Sequence, residues 1–368
     1  MHKYDYLIVG TGLYGAVFAH EAKKRGKKCL VIDKRNHTGG NIYCENIESI
    51  DIHQYGAHIF HTNDKNIWQY VNKFVGFKQY THSPIVSYKC ELYNLPFNMN
   101  TFYQLWKVKT PQEASKKLAE QCEEYKNIEP KNFEEKALKL VGKEIYEKLI
   151  KGYTEKQWGC DAKMLPSFII ERLPIRLSFD NNYFNDIYQG IPIGGYNILI
   201  NNLLNEIEIK LKTDFFSDRS ELENIADKIV YTGKLDEFYG YIEGALSYRS
   251  LKFEQELLEV NNYQGCAVIN YTEKEIPYTR IIEHKHFDLG NSSPKTIITK
   301  EYPQNWDKTK EAYYPVVDDQ NIFLFEKYRT RANNEKKYIF GGRLAEFKYY
   351  NMDDVIKSAL DKIRLEFG

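Results

Sequence analysis

The sequence predicts an α/β protein in which a doubly wound domain is combined with a helical region and an antiparallel sheet. Three observations support this prediction. Residues 6–32 follow a strand, glycine turn, helix, strand pattern, residues 101–163 are rich in helix formers with capping signals, and apolar residues alternate between about 247 and 300. These three regions follow one another without a low-complexity linker or an internal repeat. We therefore expect domains assembled from non-contiguous segments.

The first segment opens like a doubly wound domain. Tyr6 to Val9 is a short apolar run, Gly10 to Gly15 is a tight turn, and Ala16 to Lys24 has helical character that Gly26 ends. Cys29 to Ile32 is again apolar and partly β-branched, as expected for a second buried strand. The order predicts two parallel strands joined through a helix.

Helix-capping signals and the alternation of apolar and polar residues predict the remaining helices and strands. Thr110, Pro111 and Glu113 form the signature of a capping box with proline at the first helical position, and Asn132 opens another helix. Further strands and a final helix are predicted at Ala267 to Tyr271, Thr296 to Lys300, Lys337 to Gly342 and Asp353 to Leu365.

Composition excludes several classes of function. Lysine plus arginine and aspartate plus glutamate number 51 each, so no charge excess indicates a nucleic acid or membrane partner. The six cysteines are scattered without metal-ligand spacing, which predicts free thiols and no metal site. No apolar stretch reaches the ~18 residues that span a bilayer, and Met1 leads directly into a strand-like run. We expect a cytoplasmic protein.

A glycine-rich turn predicts a dinucleotide site. Gly10, Gly12 and Gly15 form G-x-G-x-x-G between a predicted strand and a predicted helix, with Leu13 among the intervening residues. The second glycine lets a pyrophosphate approach bare backbone, and the helix N-terminus offers free N–H groups. Asp33 follows the second strand, where an acidic side chain takes the adenosine ribose hydroxyls.

The residues after Asp33 favour FAD over NAD. Lys34 and Arg35 are followed by the pair Gly39 and Gly40 and by Asn41, which resembles the extended signature of the glutathione-reductase-like FAD superfamily. A simple loop with two permissive glycines is the alternative. A second glycine pair, continued by Arg343, follows the late strand and is expected to bring the chain back to the flavin.

Two histidines lie where such an enzyme would face its flavin. His58 and His61 are separated by three positions within a stretch of glycine and aromatic residues. No carboxylate or cysteine completes a metal set around them. They are either structural or positioned to orient the flavin and the substrate.

Over nearly its full length the chain resembles the bacterial UDP-galactopyranose mutases. The resemblance is carried by the glycine-rich start and by nine further runs, at residues 34–41, 56–61, 94–98, 152–159, 180–184, 188–192, 248–251, 279–284 and 341–344. It implies a flavin-binding α/β domain (1–80, 190–240 and 335–368) and a helical domain (98–165) with a mobile lid (165–180). It also implies a six-stranded antiparallel sheet domain formed by 81–97, 181–189 and 241–334.

The resemblance also implies roles for individual residues. Arg172 and Arg280 would bind the pyrophosphate and act in catalysis, with His58 and His61 positioning the flavin and sugar. Tyr153 and Trp158 would flank the uridine, although core packing is an alternative for Trp158. The other implied substrate contacts are Tyr183, Arg249, Tyr314 and Tyr349. The implied cofactor contacts are Gly10, Gly12, Leu13, Gly15, Asp33, Lys34, Gly40, Asn41, His58, Gly342, Arg343, Met352 and Asp353.

The implied reaction converts UDP-galactopyranose to UDP-galactofuranose for surface polysaccharide, through a sugar adduct on N5 of reduced FAD. A homodimer and an external reductant such as NAD(P)H are further implications. His82 and Asn351 depart from the family pattern of asparagine and aspartate, so UDP-N-acetylgalactosamine or a deoxygenated analogue remains an alternative substrate. An amine-oxidase-like oxidoreductase and a non-catalytic member of the fold are more distant alternatives.

Overall fold

The computed structural model describes residues 3–288 and 290–368, without the side chains of residues 171 and 172. Its strands are β1 (Tyr4–Val9), β2 (Cys29–Ile32), β3 (Cys44–Ile47), β4 (Ile50–His53), β5 (Phe60–Thr62), β6 (Phe77–Gln79), β7 (Ile85–Tyr88), β8 (Glu91–Asn94), β9 (Tyr188–Pro192), β10 (Glu208–Lys210), β11 (Ala226–Tyr231), β12 (Tyr248–Leu258), β13 (Val268–Tyr271), β14 (Arg280–Glu283), β15 (Thr296–Asn305), β16 (Tyr314–Pro315) and β17 (Tyr338–Phe340). Its α-helices are α1 (Leu13–Lys23), α2 (Lys65–Val71), α3 (Met99–Trp106), α4 (Pro111–Cys122), α5 (Phe133–Ile145), α6 (Gly152–Trp158), α7 (Tyr196–Leu203), α8 (Arg219–Asn224), α9 (Leu235–Phe238), α10 (Asp319–Ala332) and α11 (Met352–Phe367).

A five-stranded parallel sheet forms the first domain, in the order β10-β2-β1-β11-β17. Helices α1, α7 and α11 cover one face of it, and α8 and α9 pack near the other face. Every residue of β2 is buried, which is the pattern of a parallel strand covered on both faces. The predicted doubly wound α/β architecture is confirmed.

The antiparallel sheet has seven strands among the described residues, in the order β16-β12-β15-β14-β13-β7-β8. The sheet is confirmed, with one strand more than the six expected, because the two-residue β16 pairs with the start of β12. One neighbouring pair, β13 and β7, runs parallel. It does so because the hairpin β7–β8 comes from a distant part of the chain and joins the sheet at its edge.

Helices α3 to α6 form the helical region, and the caps of α4 and α5 match the sequence signals. The Thr110 hydroxyl accepts a hydrogen bond from Glu113 N, while the Glu113 carboxylate accepts from Thr110 N, and Pro111 is the first residue of α4. The Asn132 side chain caps α5 by accepting a hydrogen bond from Glu135 N. A π-helical turn, Tyr146–Lys151, leads into α6. The region therefore has its own apolar core, which continues into the hairpin β7–β8.

A three-stranded sheet, β5-β9-β6, and the hairpin β3–β4 connect the two larger sheets. His61 lies on β5 opposite Gln189 of β9, and His53 ends β4. The segment that contains the predicted histidines is thus held between the parallel sheet and the antiparallel sheet. Among the described residues, no helix combines the length and apolar character needed to cross a membrane.

Candidate active site

The glycine-rich turn after β1 forms the floor of a groove of about 360 Å³. Gly10 has φ +111°, and a Cβ there would lie 2.2 Å from the Thr232 hydroxyl oxygen. A Cβ on Gly15 would lie 2.0 Å from Gly10 O, so the third glycine permits the close approach of helix to strand. A Cβ on Gly12 would meet only Gly40 Cα, at 3.8 Å, and would project into the groove. The backbone thus offers an open cradle that fits a pyrophosphate.

Asp33 is held at the end of β2 by backbone and side-chain donors. Its Oδ2 accepts hydrogen bonds from Thr11 N at 2.8 Å and from the Thr11 hydroxyl at 2.6 Å, and its Oδ1 accepts from Arg35 N at 3.0 Å. The side chain lines the groove. These contacts fix the orientation of a carboxylate that retains acceptor capacity for the hydroxyls of a ribose.

The two basic residues that follow Asp33 form ion pairs with Glu311 across the mouth of the groove. Glu311, in the loop before β16, lies 2.9 Å from Lys34 Nζ and 3.2 Å from an Arg35 guanidinium nitrogen. Arg35 also donates to Asn41 Oδ1 at 3.1 Å. Sequence reasoning missed Glu311, because it comes from the antiparallel-sheet region more than 270 positions away.

Of the thirteen predicted cofactor residues, twelve line this groove and one does not. The exception is Asp353, which lies near Thr62 and His61, and burial raises the pKa of its carboxyl. The twelve are Gly10, Gly12, Leu13, Gly15, Asp33, Lys34, Gly40, Asn41, His58, Gly342, Arg343 and Met352. Residues from four distant segments therefore line one groove, and their contacts with a cofactor remain a prediction.

The late glycine pair closes the far side of the groove. Gly342 N donates to Glu346 Oε2 at 2.8 Å. The Arg343 guanidinium donates to Tyr350 O at 2.6 Å and lies within 6.0 Å of the ring centroids of Tyr314 and Tyr349. Arg343 thereby links the cofactor groove to a second set of aromatic and cationic residues.

The two predicted histidines face different surroundings. His58 Nδ1 lies 2.7 Å from Gly56 O, so this nitrogen carries the proton of a neutral ring and Nε2 is an acceptor. Burial lowers the pKa of His58 to about 4, opposed by the Gly56 contact and assisted by Arg343 and Arg280. His61 instead contacts Asp186, with Nδ1 2.5 Å from the carboxylate, and stacks on Phe184.

Two further histidines that sequence reasoning missed lie beneath His58. His53 Nδ1 accepts from His58 N at 3.0 Å, and His284 Nδ1 accepts from His53 N at 3.2 Å. His284 Nε2 is 2.7 Å from the Thr299 hydroxyl. Burial lowers the pKa of His284 to about 3 and that of His53 well below its ordinary value. Nothing in their local sequence separates them from surface histidines.

Arg280, at the start of β14, is the central cation of the second set. Its Nη2 donates to the Tyr153 hydroxyl at 2.8 Å, and its Nε lies 3.1 Å from Glu301 Oε1, although the N–H is not aimed at that oxygen. Burial is the largest single effect and opposes the charge of Arg280, but Glu301 and the phenols of Tyr153, Tyr314 and Tyr349 together outweigh it and raise the pKa of the guanidinium. Burial raises the pKa of Tyr153 to about 12. A permanent cation therefore lies beside neutral phenols.

Tyr314 and Tyr349 complete this set by stacking, with ring centroids 5.2 Å apart. Both hydroxyls contribute to the electrostatic surroundings of Arg280. Tyr183 packs edge-on against His82, with ring centroids 5.7 Å apart. We refer to Arg280, Tyr153, Tyr314 and Tyr349 below as the cationic cluster.

Arg249 and Trp158 occupy positions behind this cluster. Arg249 is buried, and its Nε donates to Gln157 O at 2.9 Å while another guanidinium nitrogen donates to Asn305 Oδ1. Its contacts therefore hold the end of α6 against the antiparallel sheet. Trp158 packs against the core of the helical region, on a different face of α6 from Tyr153. The structure thus gives Trp158 the core-packing contact that the sequence left open.

The predicted Arg172 side chain lies outside the described residues. The surrounding segment, 165–180, exposes the apolar side chains of Phe168, Leu177 and Phe179 to solvent. Nearby Arg176 donates to Phe184 O and ties this segment to the following loop. The lid itself remains a prediction.

The two departures from the family pattern differ in their surroundings. His82 is 8% exposed, and its Nδ1 is buried without a hydrogen-bond partner. Burial lowers the pKa of His82 to about 3, with Arg280 and His61 adding to the effect. Asn351 precedes α11 as its N-cap residue, and its backbone N–H donates to Asp354 at 3.0 Å. His82 is therefore the departure that lies among the site residues.

Fold and groove together define a dinucleotide-binding enzyme of the Rossmann type, and the sequence profile of NAD(P)-binding Rossmann-like domains matches residues 8–74. The profile described as UDP-galactopyranose mutase matches residues 148–349, more than half of the chain. The chain belongs to the UDP-galactopyranose mutase family and is an isomerase of that family.

Relatives agree with this assignment, and a solved structure shares the fold. The chain is 38% identical to the dTDP-fucopyranose mutase of Escherichia coli over 98% of its length and 97% of that protein. It is 39% identical to the "Probable UDP-galactopyranose mutase" of Klebsiella pneumoniae over 98% of its length and 94% of that protein. A crystal structure of reduced UDP-galactopyranose mutase shares the fold, with a TM-score of 0.76 at 14% identity, covering 100% of this chain and 95% of that one.

Proposed function

We propose that the protein interconverts UDP-galactopyranose and UDP-galactofuranose, and that its cofactor is FAD in the reduced state. The observation that carries this proposal is the contact between the two halves of the site. Arg343 lines the dinucleotide groove and lies beside the Tyr314 and Tyr349 rings. A sugar linked to a diphosphate would therefore lie between a flavin and the cationic cluster.

The residues of the groove fit FAD. The Gly10 to Gly15 turn with its open backbone suits the pyrophosphate, and Asp33 suits the adenosine ribose. His58 and Arg343 line the part of the groove that leads toward the cationic cluster. Reduced flavin would supply the nucleophile that holds the anomeric carbon after the nucleotide leaves.

Side chains of the protein would bind and orient the nucleotide sugar and stabilise the charge that develops during the reaction. Arg280 carries a permanent charge, so it would stabilise the negative charge that grows on the departing diphosphate. The hydroxyls of Tyr153, Tyr314 and Tyr349 would donate hydrogen bonds to the same oxygens. Arg172 is a further proposed contact with the diphosphate. Neutral His58 would orient groups through its free Nε2 rather than through charge.

A dTDP-linked 6-deoxygalactose is the second candidate substrate. The similarity to the dTDP-fucopyranose mutase of Escherichia coli extends over both full chains. His82 also places an unpartnered imidazole nitrogen among the site residues. This nitrogen would change the contacts offered to the sugar. UDP-N-acetylgalactosamine is the remaining analogue that the departures at His82 and Asn351 leave open.

Product analysis with reduced protein tests both candidates. UDP-galactopyranose, UDP-N-acetylgalactosamine and dTDP-fucopyranose are incubated with FAD-loaded protein under anaerobic conditions, and the ring forms are separated by chromatography. We expect many turnovers per reduced flavin with one of these substrates, and none with oxidised protein. Full activity in the oxidised state, or one flavin oxidised per sugar converted, would contradict the proposal in favour of an oxidoreductase.

A further inference from the structure

The chain segment between β15 and β16 crosses the mouth of the dinucleotide groove. Residues 308–313 of this segment line the groove, as do Lys34 and Arg35 after β2 and residues 231–234 at the end of β11. Because β1 lies between β2 and β11 in the parallel sheet, a segment that contacts the residues after both neighbours lies above the glycine turn that follows β1. We refer to residues 306–313 as the strap.

Aromatic and cationic contacts attach the strap to the segment that follows β11. Lys308 Nζ lies 3.8 Å from the centroid of the Tyr241 ring, and Lys234 Nζ lies 4.6 Å from the centroid of the Trp306 ring. Both distances allow an attraction between the cation and the face of the ring. The Trp306 indole also donates to Lys310 O at 2.9 Å, which closes a turn within the strap.

The Glu311 carboxylate attaches the strap to the segment that follows β2. Its Oε1 lies 2.9 Å from Lys34 Nζ, and its Oε2 lies 3.2 Å from Arg35 Nη2. Arg35 is held in turn by Asn41 Oδ1 at 3.1 Å and by the Tyr55 ring, whose centroid is 4.3 Å from the guanidinium carbon. Burial opposes the charge of Glu311, but Arg35 and Lys34 outweigh it and lower the pKa of its carboxyl. The ion pairs are therefore intact at neutral pH.

We propose that Glu311 is a positioning residue whose ion pairs latch the strap over the bound dinucleotide, so that the cofactor enters and leaves the groove when these pairs open. This inference rests on the proposed function, because it takes FAD as the cofactor. The pairs join protein groups to one another and not to the cofactor. Breaking them therefore speeds both entry and exit, and it changes the rate of exchange more than the affinity.

The test measures FAD exchange by the full chain with the substitution Glu311→Gln, which removes the charge and keeps the shape of the side chain. FAD-loaded protein is diluted, and free flavin is separated by ultrafiltration at timed intervals to give the release rate. The flavin retained at equilibrium gives the dissociation constant. We expect release about 3- to 10-fold faster than in the wild type, because two partly exposed ion pairs are lost. The dissociation constant should change by less than about twofold, since entry is faster as well.

Asp307→Asn is the matched control, because Asp307 also lies in the strap but pairs within it, with Lys310 Nζ at 2.9 Å. Both substitutions remove one negative charge from the strap, so a general electrostatic effect on the cofactor diphosphate would appear in both variants. The control should release FAD at the wild-type rate. High salt should narrow the difference between the wild type and Glu311→Gln, since screening weakens the wild-type pairs.

Four results would overturn the inference. Equal acceleration in both variants would show a general charge effect, and unchanged or slower release from Glu311→Gln would show that the pairs do not limit exchange. A difference that high salt leaves unchanged would show that Glu311 does not act through charge. Faster release matched by an equal rise in the dissociation constant would show that Glu311 stabilises bound FAD without gating it. Wild-type protein that retains no flavin would instead contradict the proposed cofactor itself.

Discussion

Among the residues whose side chains the structure describes, Arg280 has the most contacts that bear on the proposed reaction. It contacts Tyr153, lies beside Glu301 and contributes to the lowered pKa values of His58 and His82. We expect Arg280→Ala to lower kcat by about 10²-fold or more, because a cation aimed at growing negative charge acts mainly in the transition state. Steady-state kinetics with reduced protein measures this effect.

The control for this prediction concerns Glu301, which is 2% exposed and would lose its cationic partner. Removing one member of a buried ion pair destabilises a fold. The unfolding temperature and the FAD content of Arg280→Ala are therefore measured together with kcat, alongside Arg280→Lys, which retains a charge. Near-wild-type kcat in a folded, FAD-loaded Arg280→Ala protein would remove Arg280 from the site.

Residues whose role depends on local chain geometry could be predicted from the sequence, and residues that act across domains could not. Gly12 and Asp33 were predictable because a turn and a strand end position them within one βαβ unit. Glu311 was not, because its partner Arg35 lies in another domain. Glu301 was not either, because the register of β14 and β15 alone places it opposite Arg280. Asp353 lies in the first turn of α11 with its side chain near Thr62, and its predicted contact with the cofactor remains a prediction.

Helix α6 is the element on which the nucleotide half of the site depends. Its N-terminal end rests on Thr272, its middle is held by Lys156, and its C-terminal end is held by Arg249. Arg249 was predicted as a substrate contact, which remains a prediction, and its guanidinium donates hydrogen bonds to Gln157 O at the helix end and to Asn305. We infer that Arg249 is a positioning residue.

We expect Arg249→Leu to lower the free energy of unfolding by about 1–3 kcal/mol, because buried carbonyl oxygens at the end of α6 lose their donor. KM for the nucleotide sugar should rise more than kcat falls, since Tyr153 would lose a fixed position. Denaturant unfolding and steady-state kinetics measure these effects. A variant of undiminished stability with a large loss in kcat would indicate a direct contact with the diphosphate instead.

At the same scale, elements with strong local signals were predicted well. The capping box of Thr110 and Glu113 located the start of α4, because both partners lie within one helical turn. Strand β16 was missed, because two residues, Tyr314 and Pro315, show no alternation and pair only through tertiary contact with β12. The lid at 165–180 was predicted by resemblance alone, and its motion remains a prediction.

At the scale of the whole molecule, the parallel sheet and the antiparallel sheet meet at a layer of buried histidines. His53 and His284 are linked by a backbone-to-ring hydrogen bond, and His58 joins them from the cofactor groove. His82 is buried near Arg280 and His61. Burial keeps these imidazoles neutral in the folded state, so folding excludes protons that the unfolded chain binds.

This layer predicts how stability depends on pH. The pKa values of His58, His82 and His284 fall from 6.5 to about 4, 3 and 3 in the folded protein. Below pH 6.5 the unfolded chain takes up protons that the folded chain refuses, so the free energy of unfolding decreases as pH falls toward these folded values. Each imidazole contributes a slope of up to about 1.4 kcal/mol per pH unit in that window. Above pH 6.5 these imidazoles are neutral in both the folded and the unfolded chain, so their protonation no longer lowers the free energy of unfolding.

Urea unfolding of the wild type and of His284→Gln at pH 7.5, 6.0 and 5.0 tests this dependence. The wild type should lose stability steeply between pH 6.0 and 5.0, and His284→Gln should lose it less steeply because one proton fewer is excluded. His284→Gln can also lower the stability at every pH, since His284 accepts from His53 N and contacts Thr299. The comparison therefore uses the slope with pH rather than the absolute value. Equal slopes for both proteins would show that His284 titrates normally in the folded state, and that the histidine layer is open to protons.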